Sequence, residues 1–163
     1  MNTAGSEANW VKAVPDEAAV AVLAASFAQR AGTPLVIFLE GDLGAGKTTF
    51  ARAFLHALGY PGYVKSPSYG LLESYLADGK SILHLDLYRI EDPEELEYLA
   101  IRDLYDAETI LLVEWPARGV DHLPAADLEL RFDETDQAHT ISCFAKSDAG
   151  IEVSNTILSV QIP

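Results

Sequence analysis

The hydrophobic and polar positions along the chain follow two periods, one typical of helices and one typical of strands. Residues 15–17 open an apolar, alanine-rich helix that is predicted to run to Arg30. Residues 35–40 form a continuous apolar run, and residues 110–113 form a second one. Because such runs are typical of strands that are covered on both faces, both are predicted to lie inside a partly parallel sheet.

Between these two runs, the pattern favours an antiparallel hairpin. Residues 71–77 and 81–88 are predicted strands that flank a short, glycine-containing connection. In the second arm every other residue is a leucine, so His84 and Asp86 share the opposite face. That face is polar enough to form a site.

The remaining predicted elements are four strands and two helices. Strands are predicted at residues 10–14, 127–133, 140–146 and, more weakly, 157–162. Helices are predicted at residues 49–58 and after the capping sequence at 92–95. The 163 residues suffice for one sizeable core, so we expect a single α/β domain in which residues 1–9 are flexible.

A phosphate-binding sequence stands between the first buried strand and the next helix. Residues 41–48 match the pattern of a glycine, four residues and Gly-Lys-Thr. The glycines let the backbone wrap a phosphate, Lys47 adds a positive charge, and Thr48 offers its hydroxyl to magnesium. We therefore expect a P-loop NTPase-like three-layer sandwich with a mixed, partly parallel sheet that binds ATP with Mg²⁺. The predicted nucleotide-binding residues are Gly41, Asp42, Leu43, Gly44, Ala45, Gly46, Lys47, Thr48 and Thr49.

Such a loop works with an acidic group at the end of a nearby strand. Glu114 ends the second buried strand, and Asp86 lies on the polar face of the hairpin. We assign Glu114, with Thr48, to the metal and Asp86 to the region of the γ-phosphate, although the reverse assignment of the two acids stays open. Lys47, Asp86 and Glu114 are thus the predicted catalytic residues. We interpret His84 as a hydrogen-bonded structural residue, the commoner role of an isolated histidine on a strand.

A loop after the second helix has the composition of a switch segment. Ser66, Pro67, Ser68 and Tyr69 supply hydroxyls and a rigid proline near the expected phosphate end of the site. ATP is preferred over GTP because no asparagine is followed by lysine, as the Asn-Lys-x-Asp sequence of common GTP-binding switch proteins requires. Two alternatives stay open: a P-loop small-molecule kinase, although the chain has no arginine-rich lid insert, and a nucleotide-gated binding module with incidental hydrolysis.

Charge and cysteine content narrow the partners and the location. Eleven basic against 25 acidic side chains give a formal net charge of -14, which opposes direct binding to RNA or to an anionic membrane. No apolar run approaches membrane-spanning length, and the first residues lack a secretory pattern. The single cysteine, Cys143, fits a reducing compartment and the role of a buried small hydrophobe. We expect a cytoplasmic protein that is monomeric on its own.

Four segments together resemble the TsaE family, also known as the YjeE family, within a match that spans residues 15–124. The segments are residues 41–50, 65–69, 84–89 and 113–116. The resemblance implies a magnesium-dependent ATPase required for making threonylcarbamoyladenosine in transfer RNA. Such an ATPase works with the TsaB and TsaD proteins and reaches the transfer RNA only through them. The resemblance also implies that Lys47 and Thr48 hold phosphate and magnesium, that Glu114 and Asp86 are the metal-site and Walker-B-like acids, and that residues 66–69 are the switch.

Two positions depart from the family pattern. Ser68 stands where threonine is usual and is followed by Gly70, while Ala100 replaces a usual glycine. Because alanine is strained in a left-handed conformation, we expect Ala100 not to adopt one. We expect neither departure to touch the phosphate site. We also expect slow intrinsic turnover that rises with TsaB and TsaD, because no arginine finger is identifiable at the phosphate loop.

Overall fold

The computed structural model describes residues 7–163. Of residues 1–9, which are expected to be flexible, the first six lie outside the described residues. Asn9 is hydrogen-bonded to the sheet. Its backbone N–H donates to the Cys143 carbonyl at 2.8 Å, and its side-chain oxygen accepts from the N–H of Ala145 at 2.8 Å.

The described part of the chain folds into seven strands, four α-helices and three short 3-10 helices. The strands are β1 (Trp10–Ala13), β2 (Leu35–Gly41), β3 (Leu72–Ala77), β4 (Lys80–Asp86), β5 (Thr109–Glu114), β6 (Leu128–Glu134) and β7 (His139–Ala145). The α-helices are α1 (Glu17–Arg30), α2 (Lys47–Ala57), α3 (Ile101–Leu104) and α4 (Asp148–Leu158). The 3-10 helices are Pro93–Leu99, Pro116–Arg118 and Val120–His122.

One mixed sheet joins all seven strands in the order β1-β7-β6-β2-β5-β4-β3. The four strands from β6 to β4 are mutually parallel, whereas both edges of the sheet are antiparallel. The predicted mixed, partly parallel sheet and the predicted hairpin of β3 and β4 are thus confirmed. Because β2, β4 and β5 are parallel, their carboxyl ends meet at the same edge of the sheet.

Two hydrophobic cores lie on the two faces of this sheet, so the three-layer arrangement is confirmed. On one face α1, α2 and α4 pack over β2, β5 and β6. On the other face the covering layer is made of the 3-10 helix at 93–99, α3 and neighbouring loops. No helix in residues 7–163 is long and apolar enough to cross a membrane.

Aromatic packing fixes the position of α2, the helix that follows the glycine-rich loop. Phe50 is fully buried, and its ring meets the Phe27 ring edge-on at 5.7 Å and the Phe132 ring at 5.9 Å between centroids. Phe27 belongs to α1 and Phe132 to β6, so Phe50 joins both elements to α2. The position of Lys47 and Thr48, at the start of α2, is set by this packing.

The predicted weak strand at residues 157–162 is wrong. Helix α4 occupies residues 148–158, and its first turn is capped by Ser147, whose hydroxyl oxygen accepts from the N–H of Gly150 at 3.0 Å. Val153 and Ile157, four residues apart, are both buried. Helical spacing therefore decides this segment, since the apolar side chains meet the core only when the chain is helical.

The expectation for Ala100 is also wrong. Its φ of 51° and ψ of 41° place it in the left-handed region, between the 3-10 helix at 93–99 and α3. A left-handed alanine costs about 1–2 kcal/mol. Leu96 and Ile101 on either side are both buried in the same core, and burying each such side chain contributes about 1.5–3 kcal/mol. Tertiary packing therefore outweighs the local preference.

Candidate functional site

A cavity of about 430 Å³ opens where the carboxyl ends of the parallel strands meet the start of α2. Most of the residues predicted for the site line it. These are Leu43, Gly44, Ala45, Gly46, Lys47, Thr48, Thr49, Ser66, Ser68, Asp86 and Glu114. Gly41, Asp42, Pro67 and Tyr69 do not line it, although each adjoins a segment that does.

The phosphate loop depends on glycine at its two ends. Gly41 has a φ of 149°, and a Cβ built there would lie 2.5 Å from the backbone oxygen of Phe132 on β6. Gly46 has a φ of 108° and directly precedes α2. Both conformations are ones that L-residues rarely adopt, and the loop they permit delivers the chain to a helix N-terminus. Such a terminus presents backbone N–H groups and a positive dipole end to an anion.

Lys47 lies inside the loop rather than in solvent. Its ammonium donates to the carbonyl oxygen of Gly41 and, at 2.7 Å, to that of Asp42, and it lies 4.4 Å from the centroid of the Trp115 ring. Burial lowers the pKa of Lys47, while Glu114, Asp86 and Asp42 act in the opposite direction. The site therefore holds a desolvated cation that neighbouring carboxylates only partly offset.

Glu114 is held at both of its oxygens. The hydroxyl of Thr48 donates to Oε1 at 2.8 Å, and Nε2 of His84 lies 2.7 Å from Oε2. His84 and Glu114 are both buried, with 0% and 2% of their surface exposed. The hydrogen-bonded role expected for His84 is thus borne out, with the predicted metal-site acid as its partner.

Asp86 stands directly beside Glu114 on the neighbouring strand. Its Oδ1 accepts from the N–H of Tyr88 at 3.0 Å, and its Oδ2 accepts from the hydroxyl of Ser68 at 3.4 Å. Burial is the main cause that raises the pKa of Asp86, the charge of Glu114 acts in the same direction, and the Tyr88 hydrogen bond opposes both.

The predicted switch segment therefore reaches the predicted phosphate site through Ser68. Besides contacting Asp86, Ser68 shares a 2.6 Å hydrogen bond with the hydroxyl of Ser66, and both serines line the cavity. The expectation that the departure at Ser68 leaves the phosphate site untouched is wrong. The reason is that the loop folds back over the end of β4.

The oxygen ligands that the site offers suit a magnesium ion bound together with a nucleotide better than a metal ion bound by protein side chains alone. In residues 7–163 no group of three or more His, Cys, Asp or Glu side chains could hold a metal ion. Magnesium prefers oxygen ligands and is commonly held by one or two carboxylates together with substrate phosphates and water. The hydrogen-bonded pair of Thr48 and Glu114 fits that description. It supports the assignment of the metal site to these two residues, which stays a prediction.

The end of the cavity away from Asp86 and Glu114 was not foreseen from the sequence. It is lined by residues from the β1–α1 connection, from α1 and from the β6–β7 hairpin: Val14, Pro15, Asp16, Glu17, Val20, Asp133, His139 and Thr140. These segments are far apart in the chain and carry no recognisable motif. Only the sheet order, which brings β6 and β7 beside β2, could have indicated them.

The parallel strands, with a glycine-rich loop joining β2 to the helix that carries Lys47 and Thr48, define a P-loop NTPase-like α/β protein. A family model described as "Threonylcarbamoyl adenosine biosynthesis protein TsaE" matches residues 14–141. The chain belongs to this family, and the resemblance read from its sequence is confirmed.

Individual relatives agree with this assignment. The chain is 42% identical over 142 residues to the tRNA threonylcarbamoyladenosine biosynthesis protein TsaE of Haemophilus influenzae. This alignment covers 84% of this chain and 90% of the relative. It is 37% identical over 122 residues to the protein of the same name from Bacillus subtilis, covering 74% of each. Among solved structures, the crystal structure of Bacillus subtilis YdiB aligns with a TM-score of 0.75 and 25% identity over 91% of both chains.

Proposed function

We propose that this protein binds ATP with magnesium and hydrolyses it during the synthesis of threonylcarbamoyladenosine in transfer RNA, acting with the TsaB and TsaD proteins. One observation carries the nucleotide part of the proposal. The Thr48 hydroxyl is held on Glu114 at the end of the phosphate loop, in one cavity with Lys47 and Asp86. The pathway is supported by the functions for which the family and the two relatives are named.

Each of these side chains has a distinct task in the proposed reaction. Lys47 exchanges its contacts with the loop carbonyls for contacts with the β- and γ-phosphates. Thr48 and Glu114 hold the metal, and bound Mg²⁺ supplies neutralisation of the charge that develops on the phosphate oxygens. Asp86 orients the attacking water, and its hydrogen bond from Ser68 couples the switch segment to the γ-phosphate end of the site.

The proposal includes TsaB and TsaD because the cavity of this protein lacks a component that is common in phosphoryl-transfer sites. No arginine lines the cavity within the described residues, whereas phosphoryl transfer is often accelerated by an arginine at the γ-phosphate. Slow turnover of the protein alone and faster turnover with TsaB and TsaD are therefore expected. At the mouth of the cavity Leu43 is 62% exposed, which leaves an apolar contact for a protein partner. The net charge of -14 favours docking on protein over docking on RNA.

The rate of ATP hydrolysis with and without the TsaB–TsaD complex tests the partnership. A rise in the turnover number when the complex is added is the expected result. Equal turnover in both conditions would contradict the role assigned to the partners, whatever the intrinsic rate.

A reconstituted modification reaction tests the function as a whole. It contains transfer RNA, TsaB, TsaD, the enzyme that forms the carbamoyl-adenylate, and either the parent, Lys47→Ala or Lys80→Ala. Lys80 begins β4 at the end of the strand opposite to Asp86, so Lys80→Ala controls for the loss of a lysine away from the site. Multiple turnovers with the parent and Lys80→Ala, but not with Lys47→Ala, are expected.

Two other results would favour the alternative functions. If the parent binds ATP but has no effect on modification, the pathway assignment fails and a P-loop kinase becomes the better hypothesis. If Asp86→Asn or Glu114→Gln still binds ATP and supports modification as well as the parent does, hydrolysis is incidental and the protein is a nucleotide-gated binding module.

A further inference from the structure

We infer that His84 is a positioning residue for the magnesium site: its Nε2–H holds the Glu114 carboxylate in the orientation that keeps Thr48 available to the metal. This inference rests on the proposed function, since it concerns the same nucleotide site. It assigns a task to a residue that does not line the cavity.

The parallel pairing of β4 and β5 brings His84 to Glu114. His84 lies opposite Leu112, and Asp86 lies opposite Glu114, so His84 and Glu114 are diagonal neighbours on one face of the sheet. Diagonal neighbours are within reach of long side chains. The observed separation of 2.7 Å between Nε2 and Oε2 is that of a strong hydrogen bond. Because an ionised carboxylate can only accept, Nε2 carries the proton in this contact.

Within residues 7–163, the contact with Glu114 is the only hydrogen bond of the His84 side chain. The residue is fully buried, and its Nδ1 has no hydrogen-bond partner within the described part of the chain. Its neighbours on the same face of β4 are Ile82, which is fully buried, and Asp86. On the adjacent strands it lies opposite Leu112 of β5, also fully buried, and Glu73 of β3. An apolar side chain would fill such a position without leaving a polar atom unmatched. The histidine is therefore explained by what its other nitrogen does for Glu114.

The consequence reaches the metal through Thr48. The hydroxyl of Thr48 has one proton, which it donates to Oε1 of Glu114, and this leaves its lone pairs free for a cation. The arrangement requires that Oε1 stay in place. With Oε2 anchored by His84, the carboxylate cannot rotate away toward the nearby ammonium of Lys47. Residues that orient metal ligands in this way typically change metal affinity by about 10- to 100-fold when they are replaced.

Two amide substitutions separate this role from simple packing. Glutamine in place of His84 extends an N–H donor about as far from the backbone as Nε2, whereas asparagine is one methylene shorter and cannot reach Glu114. Both are polar and uncharged, so His84→Gln and His84→Asn place a similar group in the core. Ile82→Val, on the same face of the same strand, serves as a control for a small loss of packing without loss of a hydrogen bond.

The measurement is ADP binding by titration calorimetry, first in EDTA and then over a series of Mg²⁺ concentrations, with folding of every variant checked by circular dichroism. For His84→Asn, the Mg²⁺ concentration that gives half of the metal-dependent gain in affinity is expected to rise about 10- to 100-fold. ADP affinity in EDTA should change less than about threefold, because the phosphate loop does not use His84. His84→Gln and Ile82→Val should each stay close to the parent in both conditions.

Each other outcome counts against the inference. An unchanged Mg²⁺ dependence in His84→Asn overturns it, and so does an equal loss of ADP affinity with and without the metal, which would indicate a general structural role. A His84→Gln protein as defective as His84→Asn would show that the donor is not what matters. If the parent itself fails to bind ADP, the proposed function fails together with the inference, whereas magnesium-dependent binding that is identical in parent and variants refutes the inference alone.

Discussion

Replacing Gly41 with alanine tests the close approach between the phosphate loop and strand β6. The new Cβ would lie 2.5 Å from the backbone oxygen of Phe132 and 3.0 Å from its Cβ, at a φ of 149°. A residue held in such a rarely adopted backbone conformation costs about 1–3 kcal/mol. Forcing atoms into an already packed contact adds about 1–3 kcal/mol. We therefore expect Gly41→Ala to lower the free energy of unfolding by about 2–6 kcal/mol in sum.

Two other glycines separate the cost of the backbone conformation from the cost of the close contact. Gly79, in the hairpin turn, has a φ of 71° but nothing within 4 Å of a built Cβ, so Gly79→Ala should show only the conformational cost of about 1–2 kcal/mol. Gly32 has no such φ and also nothing within 4 Å, so Gly32→Ala should leave stability within about 0.5 kcal/mol or raise it slightly. The order of destabilisation is thus Gly41, Gly79, Gly32.

Urea unfolding of the nucleotide-free protein, followed by circular dichroism, measures all three free energies under the same conditions. ADP affinity, measured where each variant is folded, should fall for Gly41→Ala and stay unchanged for the other two, because only Gly41 begins the phosphate loop. A Gly41→Ala protein that is no less stable than Gly79→Ala would refute the reasoning. It would show that β6 moves aside at no cost and that the contact with Phe132 does not constrain the loop.

Three further predictions concern buried groups. Because burial raises the pKa of Asp86 above its unfolded value, its contribution to stability is present at acid pH and is lost as the pH rises through the folded pKa. Asp86→Asn should therefore raise the Tm of the nucleotide-free protein at neutral pH, but not at a pH below the pKa of Asp86 in the unfolded chain. A Tm at neutral pH equal to or lower than that of the parent would contradict this. Burial raises the pKa of Cys143 to about 11, so only about one thiol in 10³ is ionised at pH 8, and labelling by a thiol reagent should be slow in the native protein and fast in urea. Phe50→Ala should lower the free energy of unfolding by about 3–5 kcal/mol in a urea titration, because Phe50 is fully buried between Phe27 and Phe132; a loss below about 2 kcal/mol would argue against tight packing there.

The errors of the sequence-based reading fall where local preference and tertiary packing disagree. The tail at residues 157–162 was predicted as a strand because its apolar positions are also compatible with alternation, yet Val153 and Ile157 reach the core from a helix. Ala100 was expected to avoid the left-handed region, yet the burial of its neighbours Leu96 and Ile101 holds it there. In both places, the conformation is decided by burial in the core, which the local sequence pattern does not show.

The sequence by itself determined the parts of the site that are adjacent along the chain. A buried strand, the glycine-rich loop, and Lys47 and Thr48 at a helix start follow one another without a gap, so local pattern and backbone chemistry are enough to predict them. The strand-end position of Glu114 could be predicted in the same way, whereas the pattern places Asp86 inside a strand at residues 81–88 and the structure ends β4 at Asp86.

Only the tertiary structure decided which of these groups touch. Glu114 meets His84 thirty positions earlier in the chain, and it meets Thr48 across the start of α2. The register of β4 against β5 sets the first contact, and the packing of α2 on the sheet sets the second. A one-residue slip of that register would turn His84 away from Glu114 to the other face. The pairing is chosen by the hydrophobic cores on both faces of the sheet, which no short segment of the sequence contains.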